Sequence, residues 1–253
     1  MSAQFPVAVQ LYTLRDLVES DYAGTLRAVA EIGYGAVELV MLGSYSAAEL
    51  RTELDTLGLK PIGMHVLLER LETELDTVIA DFKTLGVSYV VCPYLVTERR
   101  SSADDYRYVA DSLNRIGEKC RESGLQFCYH NHDFEFQRFD GKTGFEILIE
   151  HTDDTLVQFE LDVYWVTLAG YDPIALIHRL EGRLPLVHLK DMASDPTRTF
   201  AEVGHGTLDF PALLAAGDEV GVVGYIVEQD QCTRPPLESV QMSLDYLHSI
   251  GRE

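Results

Sequence analysis

Four short segments in the second half of the chain concentrate side chains that bind metals and move protons. They are His130-Asn131-His132, Glu160-Leu161-Asp162, His188-Leu189-Lys190 and Glu228-Gln229-Asp230. Each lies at the end of an apolar, β-forming run. In each the chemical residues stand two apart, the spacing that turns both side chains to one face of a strand. One histidine of the first segment, with Asp162, His188 and Glu228, offers a mixed nitrogen and oxygen donor set, each donor about one strand-and-helix unit from the next. Such a set suits Mn²⁺, Zn²⁺, Co²⁺ or Mg²⁺. Singly, each residue has an ordinary explanation: a strand-end histidine hydrogen-bonds in a core, and a carboxylate caps the next helix or pairs with a lysine. Together they resist it, because burying so many ionisable groups in one place costs several kcal/mol unless a cation or substrate satisfies them.

Positioning these segments requires a regular scaffold, and the chain alternates β-rich runs with helical patterns eight times, at roughly 32 residues per unit. The expected strands are Val7 to Tyr12, Ala36 to Val40, Pro61 to Val66, Tyr89 to Pro93, Gln126 to His132, Val157 to Asp162, Leu184 to Lys190 and Gly224 to Gln229. Helix ends are marked as well. Ser46 with Glu49 forms a capping box, Gly58, Gly33, Gly86 and Gly124 stand where a helix stops, and Pro173 suits a first turn. Eight uninterrupted units predict an α/β fold of the closed (β/α)₈ TIM-barrel type over residues 1–253 as one domain, with its chemistry at the C-terminal ends of the strands. An open doubly wound sheet would want a glycine-rich phosphate turn after an early strand. Gly33-Tyr34-Gly35 and Gly204-His205-Gly206 stand in the wrong context for one.

Composition narrows the chemistry. The chain has 253 residues, 46% of them hydrophobic, and 41 acidic against 20 basic residues give a formal charge of −21. That charge repels phosphate backbones and anionic lipid, so neither a nucleic-acid nor a membrane partner is expected. The segment from Met1 to Pro6 has no basic flank and no apolar run, and no stretch is long enough to span a bilayer. The four cysteines, Cys92, Cys120, Cys128 and Cys232, lack metal or redox spacing. A reducing cytoplasm is the expected location.

The chain resembles the xylose isomerase-like TIM barrels, which include sugar phosphate isomerase/epimerases, inosose isomerases and dehydratases, and endonuclease IV. The resemblance is carried by Val9-Gln-Leu-Tyr-Thr-Leu-Arg-Asp16, Gly33-Tyr-Gly-Ala-Val-Glu38, Tyr129-His-Asn-His-Asp-Phe-Glu-Phe136, Phe159-Glu-Leu-Asp162, Val187-His-Leu-Lys-Asp191, Gly204-His-Gly-Thr-Leu-Asp209 and Val227-Glu-Gln-Asp230. It implies one divalent metal, with Mn²⁺ first among the candidates, held by Asp162, His188, Glu228 and a strand-five carboxylate. On strand five this sequence departs from its relatives: His130 stands where they carry glutamate. His130 is therefore the expected fourth ligand, with His132 and Glu135 in reserve. The resemblance also implies homo-oligomers.

The function expected is a metal-dependent isomerase or epimerase of a keto-sugar or keto-inositol, working through a stabilised enediolate. Glu228 is the expected base, and His132 or Lys190 would return a proton. Lys190 could equally be a salt-bridge partner of Asp162 or Glu160, and Glu160 is read as orienting a ligand or neutralising Lys190. Gln10, Tyr12, Glu38 and His65 are candidates to bind substrate hydroxyls. Trp165 could stack on a sugar ring or plug a helix onto the barrel, and His205 is placed in a turn over the mouth. Because one of the paired epimerase carboxylates is missing, a lyase acting on an inosose or a 3-keto-glycoside is the alternative. An endonuclease IV-like nuclease and a non-catalytic sugar-binding barrel rank lower.

Overall fold

The computed structural model describes residues 5–252, so residues 1–4 of the segment read for a targeting signal lie outside the described residues. Eight parallel strands close into a barrel in sequential order: β1 Ala8–Gln10, β2 Ala36–Leu39, β3 Lys60–His65, β4 Tyr89–Cys92, β5 Gln126–His130, β6 Val157–Asp162, β7 Leu186–Leu189 and β8 Gly224–Val227. β8 pairs with β1 through Ala8–Ile226 and Val9–Val227, which completes the ring. Among the described residues no helix is long and apolar enough to cross a membrane.

All eight expected strands are present, and several are shorter than expected at the C-terminal end. β1 stops at Gln10 because Leu11–Leu14 turns into a 3-10 helix capped by the Gln10 side chain, which accepts the N–H of Tyr12 at 3.1 Å. β5 and β7 likewise end before His132 and Lys190, and β8 ends at Val227, although the Glu228 N–H still donates to the Leu189 carbonyl at 3.2 Å. The helix-end signals hold. Ser46 and Glu49 form the capping box, Gly33, Gly58 and Gly86 close helices in the left-handed conformation, and Pro173 opens Pro173–Arg179.

The barrel interior is layered by the two-residue period of its strands. A buried apolar floor is formed by Ala8, Ala36, Ile62, Val91, Cys128, Leu186 and Ile226. Two residues further along β1, β2, β5, β7 and β8 stand Gln10, Glu38, His130, His188 and Glu228, all buried. On β3 the step is three residues, from Ile62 to His65, because the pairing of β2 with β3 shifts register between Val37 and Leu39. Gly63 falls at that irregularity, and a Cβ there would lie 2.5 Å from Glu38 Oε1. The outward faces of the strands pack against helices in a second, larger apolar core that includes Phe82, Phe127, Phe145, Phe159 and Leu113.

Candidate active site

Above the apolar floor the inward side chains form one connected polar layer. Glu160 Oε1 accepts hydrogen bonds from His65 Nε2 and His130 Nδ1, each at 3.0 Å. Glu38 Oε2 accepts from Gln10 Nε2 at 2.7 Å and from His188 Nε2 at 2.8 Å. His188 Nε2 also lies 3.0 Å from Glu160 Oε1, while its other nitrogen, Nδ1, donates to Glu228 Oε2 at 2.7 Å. Lys190 Nζ lies 2.6 Å from Asp230 Oδ1, 2.8 Å from Glu228 Oε2 and 3.2 Å from Asp162 Oδ2.

Burial and mutual charge set the protonation of this layer. Burial works against the charged form of His188, yet Glu160, with hydrogen bonds to Glu160, Glu228 and Glu38, holds its pKa well above the usual histidine range. His65 behaves alike: burial opposes its charge, and Glu38 and Glu160 overcome it to give about 9. His130 is pushed well down by burial and by His188, and His132 falls to about 3 through burial and Lys190. Burial lifts Asp162 to about 6 against the pull of Lys190, whereas Lys190 and His188 outweigh burial at Glu228 and keep it ionised. Lys190 keeps its proton because Asp162, Glu228 and Asp230 outweigh its desolvation.

Two overlapping groups have donor atoms close enough to share a cation: His130, Asp162, His188 and Glu228, and beside them His65, His130, Glu160 and His188. In each group all ligand atoms lie within 4.8 Å of one another. The carboxylates decide between them. A carboxylate oxygen that takes the N–H of one imidazole nitrogen leaves the other nitrogen of the ring for a metal. Glu160 takes His130 Nδ1 and Glu38 takes His188 Nε2. The other nitrogens, His130 Nε2 and His188 Nδ1, are those nearest Asp162 and Glu228, and His188 Nδ1, which here donates to Glu228, would give up that proton to bind a cation. Asp162 Oδ2 is buried without a hydrogen bond, faced by the Lys190 ammonium at 3.2 Å, and Glu160 Oε2 in the second group is likewise without one, so each group holds a carboxylate oxygen with room for a cation. The donor set therefore fits a divalent ion.

The remaining candidates divide. His65, His130, His132, Lys190, Glu228 and Tyr12 line a cavity of about 740 Å³ open at the barrel mouth. Gln10 and Glu38 lie in the layer beneath it, bonded to each other. Trp165 sits at the edge, its ring 5.3 Å from that of His132 and 5.6 Å from Lys190 Nζ, with a buried indole nitrogen that has no partner. Glu135 is held elsewhere. It accepts from Tyr129 Oη at 2.6 Å and from the His132 N–H at 2.8 Å, and it joins neither donor group. Glu160 does not neutralise Lys190; its partners are the three histidines. His205 is exposed, its ring 6.5 Å from that of Tyr246, and it does not line the cavity.

The turn that carries His205 is tied down by Asp191, whose role the sequence reading missed. Oδ1 accepts from the N–H groups of Met192, Thr207 and Leu208, and Oδ2 from those of Gly204 and Gly206, at 2.7 to 3.1 Å. Gly206 is required there, since a Cβ would lie 2.3 Å from the Met192 carbonyl oxygen. The signal was an aspartate directly after Lys190 together with a distant glycine pair. Asp230, the anchor of Lys190, was in view two residues beyond Glu228.

The comparisons with known proteins agree with this architecture. An inosose dehydratase of Geobacillus kaustophilus (strain HTA426) is 29% identical over 268 residues, covering 89% of this chain and 86% of that protein. A sugar phosphate isomerase/epimerase from Parabacteroides distasonis ATCC 8503 superposes with a TM-score of 0.86 at 25% identity, over 99% of this chain and 96% of the other. The IolI protein, whose structure has a binding zinc atom, shares the fold with a TM-score of 0.77 at 20% identity, over 97% and 98% of the two chains. The family model of the xylose isomerase-like TIM barrel matches residues 26–250, and the chain belongs to that family.

Proposed function

We propose that the protein is a lyase that removes a β-substituent, water or an alcohol, from a keto-polyol or keto-glycoside after abstraction of the α-proton. The observation that carries this reading is the pairing of Glu228 and Lys190, an ionised carboxylate and an ammonium 2.8 Å apart at one side of the cavity floor. A divalent ion held by His130, Asp162, His188 and Glu228 would supply Lewis acidity at the substrate carbonyl.

The protein's own groups account for the proton traffic. Glu228 takes the α-proton and the C–H electron pair becomes the new carbon–carbon double bond. The bond from the β-carbon to oxygen then breaks, and Lys190 donates a proton to the departing oxygen. Transfer from Glu228 to Lys190 over 2.8 Å restores both groups, so the sum is substrate to enone plus water or alcohol with no redox change. His132, neutral at physiological pH, accepts or donates a hydrogen bond to a ring hydroxyl. Because acid and base are neighbours, the elimination is expected to be syn.

This order reverses the expectation from the sequence, in which an isomerase or epimerase came first. Epimerisation by paired carboxylates wants one on each face of the substrate, and the strand-five position that would supply the second carries His130, which burial keeps neutral. The dehydratase relatives support the same choice. The test is incubation of the Mn²⁺-loaded protein with a 3-keto-glycoside in D₂O, with a keto-inositol alongside, followed by NMR and enone absorbance. Elimination product is expected; α-deuterated or epimerised ketone without elimination would restore the isomerase.

A further inference from the structure

The cavity is divided by origin. His65 of β3 and the ends of β5, β7 and β8 supply its polar floor, while the apolar part of its wall comes from the connections after β1 to β4: Tyr12, Val40, Met41, Leu67, Pro93 and Tyr94. Four of these are exposed, Tyr12 at 42%, Met41 at 46%, Leu67 at 53% and Tyr94 at 37%. A ring polyol of twelve heavy atoms fills on the order of 200 Å³, about the liquid volume of six or seven waters. A cavity of about 740 Å³ therefore leaves most of its space to something else. That space is bounded by apolar side chains whose exposure is unfavourable unless a ligand covers them.

The two aromatic rings are held in place. The Arg15 guanidinium sits 4.4 Å from the centre of the Tyr12 ring and bonds the Tyr12 and Asp230 carbonyls. Tyr94 meets His132 and Phe134 edge-on at 5.5 and 5.3 Å. Rigid, solvent-facing aromatic rings favour stacking on a flat partner at small entropic cost. Asp16 and Glu19 stand on the same wall, and the cations Arg15 and Lys190 are already engaged, so an anionic group such as phosphate is disfavoured.

We propose that the β1–β4 side of the mouth is a subsite for a neutral aryl group joined to the ring held over the polar floor. Resting on the lyase reading, it makes the substrate a keto-glycoside with an aromatic leaving group rather than a free inosose.

The experiment separates the subsite from the chemistry. Binding of phenyl β-glucoside and of methyl β-glucoside, neither a ketone, is measured by calorimetry and by fluorescence of Trp165, the chain's one tryptophan. The phenyl compound is expected to bind at least tenfold tighter. Tyr94→Ala and the exposed-site variants Met41→Ser and Leu67→Ser should each erode that preference at least threefold while leaving methyl β-glucoside affinity within twofold. Equal affinity for the two glucosides in the parent protein, or parallel losses in the variants, would overturn the subsite. So would a change of sedimentation coefficient in Leu67→Ser with the aryl preference intact, which would make the wall a contact between copies of the chain. A retained aryl preference without elimination from any ketone would support the subsite and defeat only the lyase reading.

Discussion

Replacing Glu160 by glutamine tests whether this carboxylate orients the donors or is itself a ligand. Glu160 Oε1 lies 3.0 Å from each of three imidazole nitrogens, on His65, His130 and His188. Glutamine keeps the shape, removes the charge and turns one oxygen into a donor. Loss of a carboxylate that fixes a metal-binding imidazole weakens metal affinity by about 10- to 100-fold, or about 1.4 to 2.7 kcal/mol. His188 retains Glu38 at 2.8 Å, so the loss is expected through His130, toward the lower end of that range. Chelator competition with Mn²⁺ and with Zn²⁺ on the parent and Glu160→Gln proteins, matched in near-UV circular dichroism, gives the ratio directly. Unchanged affinity would refute an orienting role. A loss beyond about a thousandfold would refute it differently, by making Glu160 a ligand with His65, His130 and His188.

Asp191→Asn should destabilise the fold by roughly 3 kcal/mol in urea denaturation, because the N–H groups of Gly204 and Gly206 would meet an amide that cannot accept both; a loss under about 1 kcal/mol would contradict this account of the turn. Lys190→Met should retain metal but lose about 100-fold or more in elimination rate, and a variant within tenfold of the parent would remove Lys190 as proton donor. Burial raises the Glu135 carboxyl to about 7 from 4.5. The folded pKa exceeds the unfolded one, so this group's contribution is fully present below pH 4.5 and is lost as pH rises through 7, by up to about 3 kcal/mol. Denaturation of Glu135→Gln across pH 4.5 to 8 should show a flatter profile than the parent; superimposable profiles would sink the assignment.

The barrel was legible because its strands repeat one rule, an apolar residue followed two places later by a chemical one, as in Cys128 and His130, Leu186 and His188, or Ile226 and Glu228. The same two-residue step brought out His130, His188 and Glu228, and on β6 it joins two chemical residues, Glu160 and Asp162. What escaped were facts that depend on neighbours rather than period. Glu135 looked available on sequence, but Tyr129 and the His132 backbone claim it. His205 looked like a mouth residue, but the turn that carries it folds inward to cup Asp191 with its backbone, which sends the side chain outward. The extent of the cavity was also invisible, because Tyr12, Met41, Leu67 and Tyr94 come from connections with no shared spacing.

The histidine at position 130 ties these observations together. The family resemblance implies a carboxylate there, and an imidazole in its place removes a negative charge from the donor set. Glu160 is paired in register with His130 on the neighbouring strand and lies 3.0 Å from its Nδ1, so a charge of the same sign stands behind the ring. Displaced in this way, the charge still raises the basicity of the nitrogen that faces the donors, but it is too deep to reach a substrate proton. Glu228 is then the ionised carboxylate of the donor set that also lines the cavity, and its neighbour Lys190 is an acid. An acid beside a base, with an imidazole where the resemblance implies a second carboxylate, favours expelling a leaving group over inverting a carbon.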